Sequence, residues 1–326
     1  MKLSKLTFLT LLFLIAIISN VSSQEYALVI HGGAGVMNKD KMSDERKAEY
    51  KAKLNEALTL GEKLLKEGAT CTDVVVEVVK VLENSPLFNA GKGAVFTNSG
   101  ENELDASIME GKNMNAGAVA GVKDIKNPIM AACEVMDNSV HVMLSGKGAS
   151  EFAKKQKLEI VPNKYFFTKG RYNSLQRLLQ KEREREKRDN MGTVGCAVLD
   201  KYGNICAGTS TGGMTNKKYG RIGDSPVIGA GTYANNKTCA VSCTGHGEFY
   251  IRLGFARDIS ALMEYKGLSV QEACREEIRT LSEMNGTGGV IGLDAKGNIA
   301  MEFNTSGMFR GYIKSTGEKE IAIFAD

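Results

Sequence analysis

The sequence predicts an α+β protein layered as an αββα sandwich. Short strand-like runs occur at both ends of the chain, and helical periods fill the spaces between them. Turn signals of the Asp-Lys-Tyr-Gly-Asn kind (Asp200 to Asn204) join neighbouring runs as hairpins. Strands, then helices, then strands suit stacked layers better than a strictly alternating parallel sheet.

Residues 26–30 form a short apolar strand that opens into a glycine turn at Gly32, Gly33 and Gly35. Residues 43–66 have a helical period, with Leu54, Leu58, Leu64 and Leu65 on one side and lysines and glutamates opposite; Gly68 ends it. Thr72 or Asp73 caps a second helix through Leu82, before Pro86. Residues 104–109 and 116–122 read as strands, and 128–136 and 148–156 as helices. Residues 157–189 are the least patterned and most charged stretch, which makes about 157–192 a linker. Strands are then expected at 193–199, 205–210 and 237–243. Helices follow at 247–265 and, capped by Ser269, up to Met284, with strands at 289–293, 299–303 and 311–313.

Bulk properties narrow the function. Lys2 and Lys5 precede an apolar run over residues 6–18, and Val21-Ser22-Ser23 offers small residues for cleavage before Gln24. Residues 1–23 therefore read as a secretory signal peptide, which predicts an exported protein, periplasmic or secreted. The run is short for a bilayer span of about 20 residues, so no membrane is expected for the mature form. The formal charge of +4 falls to +2 once the two lysines are removed, so no nucleic-acid partner is expected. The run over residues 181–189 alternates basic side chains with Glu182, Glu184 and Glu186 and reads as solvated. Seven scattered cysteines make no disulfide framework. On a strand, Cys239 and Cys243 would lie about 13 Å apart, so they read as small buried hydrophobes.

Metal catalysis has no support in His31, His141 and His246, which form no ligand motif. Each reads as a packing or hydrogen-bonding residue. Gly208-Thr209-Ser210-Thr211-Gly212 mimics a nucleophile elbow, and Ser210, Asp224 and His246 follow the matching chain order. An elbow must enter a helix, however, whereas Gly212-Gly213 opens a polar loop.

The sharper signal is Asn190-Met191-Gly192-Thr193-Val194-Gly195-Cys196, where a charged run ends at a Gly-Thr bond and an apolar strand begins. In an intact chain Thr193 is an ordinary strand residue. Once Gly192–Thr193 is cut, one residue carries both a hydroxyl and a free amine that can take its proton. With an ordinary pKa of about 7.7–8, such an amine is partly neutral at physiological pH.

This junction resembles the processing site of the plant-type asparaginases, or isoaspartyl peptidases, among the N-terminal nucleophile hydrolases. So do His31-Gly32-Gly33-Ala34-Gly35, the block from Pro86 to Phe96, and Glu103-Leu104-Asp105-Ala106-Ser107. Thr209 to Asn216, Gly220-Arg221-Ile222-Gly223-Asp224-Ser225-Pro226 and Ser242-Cys243-Thr244-Gly245-His246-Gly247-Glu248 complete a resemblance over about residues 26–314. It implies an αββα sandwich of the N-terminal nucleophile type. It also implies self-cleavage into an α subunit, residues 24–192, and a β subunit, residues 193–326, that remain one structural domain and pair into a dimer of αβ units.

The resemblance assigns roles. Thr193 is the nucleophile, Thr211 its neighbour, and Thr244 with Gly245 the oxyanion-hole pair. Arg221 would grip a substrate α-carboxylate, Asp224 and the Gly247 carbonyl an α-ammonium, and Asn89 would line the site near the scissile bond. Backbone carbonyls of Leu82, Glu83, Ser85, Phe88, Ala90 and Lys92 would hold a structural sodium ion; no cofactor is expected for the chemistry. β-Aspartyl dipeptides and L-asparagine both fit these groups. A glycosylasparaginase and a β-aspartyl-peptide binder that never matures are the alternatives.

Overall fold

The computed structural model describes residues 25–183 and 192–325. The signal-peptide reading and most of the charged run at 181–189 lie outside the described residues. Before the Gly-Thr junction come strand β1 (Ala27–Gly35), helices α1 (Asp44–Glu67) and α2 (Cys71–Glu83), and strands β2 (Leu104–Glu110) and β3 (Ala116–Val122). Helix α3 (Pro128–Asn138), strand β4 (Met143–Ser145) and helices α4 (Gly146–Lys155) and α5 (Lys169–Arg183) follow. After the junction come β5 (Val194–Leu199), β6 (Ile205–Thr211), β7 (Thr232–Ala234) and β8 (Cys239–Gly245), then helices α6 (Gly247–Leu253), α7 (Phe255–Lys266) and α8 (Val270–Glu283). Strands β9 (Gly288–Asp294), β10 (Ile299–Phe303), β11 (Gly307–Lys314) and β12 (Lys319–Phe324) close the described chain.

Eight strands pair in the order β12-β11-β1-β5-β6-β2-β3-β4 and four in the order β10-β9-β8-β7. Side-chain alternation assembles the layers. Leu28, Ile30, Cys196 and Val198 pack with Leu54, Leu58, Val75 and Val78 of α1 and α2. Their neighbours Ala27, Val29, Ala197 and Leu199 face the smaller sheet, which in turn packs on α7 and α8 through Ile259, Cys274 and Ile278. The result is the αββα sandwich. Central strands apolar on both faces lack polar alternation, as buried sheets require.

Local chemistry sets most boundaries. Ser43 caps α1 by accepting from Arg46 N–H, and Gly68 (φ 88°) ends it in the left-handed conformation. The second helix is capped by Thr70, which accepts from Asp73 N–H, and not by Thr72 or Asp73. Ser269 and Glu272 form a capping box on α8. The single helix expected at 247–265 is two, broken at Gly254 (φ 63°). The strand expected at 237–243 is β8, two residues later. The expected linker contains α5, a helix too polar to announce itself by apolar period. Strands β4 and β7 have three residues each, and β12 carries lysine and glutamate on a sheet edge, so none stands out in sequence.

All seven cysteines are unpaired, with Cys239 and Cys243 fully buried on β8. No helix among the described residues is long and apolar enough to cross a membrane. The large sheet interleaves segments from both sides of the junction. β1 lies between β11 and β5, and β6 between β5 and β2.

Candidate active site

Thr193 immediately precedes β5 and is 5% exposed. Pairing of β5 with β1 and β6 fixes it at the end of a central strand. Opposite, Gly33 has φ 108°, and a Cβ there would come within 3.2 Å of the Thr193 nitrogen. Glycine is required both by that conformation and by the close approach.

The Gly192 carbonyl is held by two donors, Asn89 Nδ2 at 2.7 Å and Thr211 Oγ1 at 2.9 Å. With its proton committed to Gly192, the Thr211 oxygen accepts from the Gly213 N–H at 2.9 Å and from the Thr193 hydroxyl at 3.3 Å. Asn89 is itself locked, because Nδ2 also donates to the Gly213 carbonyl at 2.7 Å and Oδ1 accepts from Val95 N–H at 2.9 Å. A carbonyl polarised by two fixed donors beside a hydroxyl suits acyl transfer, since both donors strengthen as negative charge grows on that oxygen.

Thr244 and Gly245 end β8 on the facing sheet. Thr244 Oγ1 accepts from Ala34 N–H at 3.3 Å, and no bond among the described residues uses its own proton. A side chain on Gly245 would run into the Thr287 carbonyl and Gly288. The deeper face of the site is a chain of hydroxyls between the sheets. His31 Nε2 meets Ser242 Oγ at 2.9 Å, Ser242 meets Thr209 at 2.7 Å, and Thr232 and Ser107 extend the chain to the Ser225 carbonyl. Burial pushes the His31 imidazole down to about 3, partly opposed by the nearby Thr193 backbone, so the ring stays neutral.

Two charged residues lie beside Gly247. Arg221 forks onto Glu248 through Nε at 2.9 Å and Nη2 at 2.8 Å. Burial works against its charge, but Glu248 outweighs burial and raises its pKa. The Nη1 side lies against Gly223 and Gly213, where a Cβ would stand 2.8 and 3.6 Å from Nη1. Asp224 is buried, and its Oδ2 has no hydrogen-bond partner. Burial pushes its pKa up to about 7, with Arg221 pulling the other way. A buried carboxylate oxygen without a donor is costly. A Cβ on Gly247 would fall 2.7 Å from Asp224 Oδ1.

In the loop after α2, several carbonyls pack against its own glycines. The Glu83 carbonyl closes on Gly91, and those of Phe88 and Pro86 on Gly93, where any side chain would collide. The Leu82 and Ala90 carbonyls accept from Ser85 and Gly93 N–H groups. Lys92 turns its ammonium to the Tyr165 carbonyl and ring, leaving its backbone in the loop.

The elbow reading fails because Ser210 faces the other side of β6 from Thr209 and Thr211 and donates to Glu83 at 2.6 Å. His246 Nε2 lies 3.5 Å from Glu248 and its ring edges onto Phe249, while His141 is exposed. No group of three or more His, Cys, Asp or Glu residues among the described residues is set to bind a metal. Sequence reasoning missed Glu248 as the partner of Arg221, although it closes the motif that holds Thr244. It also missed buried Lys217, whose Nζ donates to the Glu103 carbonyl at 3.1 Å and lies 3.8 Å from Asp105.

An αββα sandwich with a threonine poised at the head of a central strand defines a hydrolase of the N-terminal nucleophile class. A family profile described as asparaginase matches residues 24–323, so the chain belongs to that asparaginase family. The isoaspartyl peptidases of Salmonella typhimurium and Escherichia coli are each 47% identical over 87% of this chain and over 94% and 92% of their own lengths. An isoaspartyl peptidase/L-asparaginase of Xenopus laevis is 39% identical over 88% of this chain and 92% of its own.

Two outcomes follow from this geometry. Asn89→Ala removes one donor to Gly192 and should slow chain cleavage by roughly 10²–10³-fold, read as the decay of intact chain on denaturing gels. Unchanged decay would remove Asn89 from that step. Asp224 has a raised folded pKa, so it costs stability as pH rises from its unfolded value through about 7. Asp224→Asn should therefore melt higher than wild type at pH 8, with the gain vanishing near pH 4. Equal melting at both values would contradict the buried, unpartnered carboxylate.

Proposed function

We propose that this protein is a self-processing amidohydrolase that cleaves β-aspartyl dipeptides and L-asparagine, with Thr193 as nucleophile. The observation that carries the reading is the doubly donated Gly192 carbonyl beside the Thr193 hydroxyl. Attack of Thr193 Oγ on the Gly192 carbon would place negative charge on an oxygen already facing Asn89 and Thr211. As the Thr193 hydroxyl proton passes to the departing nitrogen, collapse breaks the Gly192–Thr193 amide and leaves an ester, which water hydrolyses to a Gly192 carboxylate and a free Thr193 amine.

That amine then takes the hydroxyl proton as Thr193 attacks the substrate amide. The free Thr244 proton and the Gly245 N–H are suited to the new oxyanion, and each such donor contributes about 2.7–4 kcal/mol. Arg221 offers its remaining edge to the α-carboxylate, and unpartnered Asp224, with the Gly247 carbonyl, receives the α-ammonium. The leaving amine departs with the proton, and water releases aspartate from Thr193. Names carried by relatives, isoaspartyl peptidase and L-asparaginase, agree with this substrate pair.

Three coarser proposals accompany it. The carbonyls of Leu82, Glu83, Ser85, Phe88, Ala90 and Lys92 hold a structural sodium ion, seen as a higher melting temperature in sodium than in choline chloride. The α and β chains stay together through β1 and pair as two αβ units, which native mass reads directly. Export removes residues 1–23, so the exported protein should begin at Gln24.

The test of the activity is aspartate release from L-asparagine, a β-aspartyl dipeptide and a glycosylated asparagine. Wild type should turn over the first two and not the third, and Thr193→Ala none. Turnover of the glycosylated substrate alone would favour a glycosylasparaginase, and turnover by Thr193→Ala would sink the mechanism.

A further inference from the structure

Both donors on the Gly192 carbonyl are tied to one residue, Gly213. Its carbonyl accepts from Asn89 Nδ2 at 2.7 Å, and its N–H donates to Thr211 Oγ1 at 2.9 Å. The position of Gly213 therefore helps to aim Asn89 and Thr211. Its backbone is left-handed, φ 78°, which glycine adopts without strain. A Cβ there would stand 3.1 Å from Lys217 Nζ, so the Lys217 ammonium packs directly against the Gly213 backbone.

Lys217 is held from all sides, although it lies in a loop. Its side chain is 1% exposed. The preceding Asn216 is left-handed at φ 67°, a conformation that asparagine tolerates. Asn216 N–H donates to the Phe96 carbonyl at 2.8 Å, and the Lys217 carbonyl accepts from Asn98 N–H at 2.9 Å. Inside, Nζ donates to the Glu103 carbonyl at 3.1 Å and lies 3.8 Å from Asp105 Oδ2. Asp105 is fully buried on β2, directly opposite Thr211 on β6. Its Oδ1 accepts from Gly121 N–H at 2.7 Å, while Oδ2 has no hydrogen-bond partner among the described residues. Burial raises the Asp105 pKa, and the Lys217 charge pulls it back. Two buried charges are expensive to desolvate, and a neutral pair of similar size often serves stability as well.

We propose that Lys217, held by Asp105 and Glu103, is a positioning residue for self-cleavage: its ammonium fixes Gly213 and, through Gly213, the two donors on the scissile carbonyl. It acts through Gly213 and transfers no proton. The inference rests on the self-processing reading and adds to it a charge pair that lies behind the reacting groups.

Decay of the intact chain, measured beside melting temperature, tests it in wild type, Lys217→Met and the double variant Lys217→Met/Asp105→Asn. Removing one partner leaves a buried charge and should lower melting, whereas removing both should restore it. Cleavage should not follow melting. Both variants should cleave with a first-order rate constant roughly tenfold to a hundredfold below wild type, the loss that a displacement of about 1 Å can cause. An unfolded fraction lowers the amplitude of cleavage and not the rate constant of the folded chains, so a pair serving stability alone predicts a wild-type rate constant in the double variant. Should the double variant fail to fold, Lys217→Gln decides, because Asp105 can then stay neutral by keeping a proton; the same loss of rate constant is expected. A wild-type rate constant in the double variant, or in Lys217→Gln in its place, would overturn the role of Lys217 and leave self-processing standing. A wild-type chain that never cleaves would instead end the self-processing reading, and this inference with it.

Discussion

The structure depends on the position of β5 in the middle of the large sheet. Held between β1 and β6 by antiparallel pairing, it presents Thr193 at the seam where the two sheets meet. Everything chemical is arranged around that fixed end. Asn89 arrives from the loop after α2, Thr211 from the end of β6, and Thr244 and Gly245 from β8 in the facing sheet. β1, the other neighbour of β5, also pairs with β11, so strands from both sides of the Gly192–Thr193 bond flank the strand that Thr193 heads.

Electrostatics divides the site. Near Gly247, Arg221 already carries Glu248, and Asp224 has one buried oxygen with no partner. Burial of Asp224 appears as its raised pKa. The His31-Ser242-Thr209 chain behind Thr193 links the two sheets through neutral groups.

Much of this was legible in the residues. The Gly-Thr junction, the glycine turn after His31 and the motif blocks around Thr211, Arg221 and Thr244 mark the site, and the αββα order follows from the succession of periods. Partnerships across the fold were not legible. Ser210 finds Glu83 across 127 residues and His31 finds Ser242 across 211, separations at which local pattern carries no information. Helix α5 escaped because its surface is polar. The break at Gly254 was visible as a glycine but not as the left-handed end of a helix.

The central claim is that the Gly192 carbonyl is poised for attack by Thr193. Intact mass of the purified chain over time, with N-terminal sequencing of the fragments, tests it most directly. The account predicts that one chain becomes two, the second starting at Thr193, while Thr193→Ala stays whole. A wild-type chain that remains uncut, or a cut at any other bond, would contradict it.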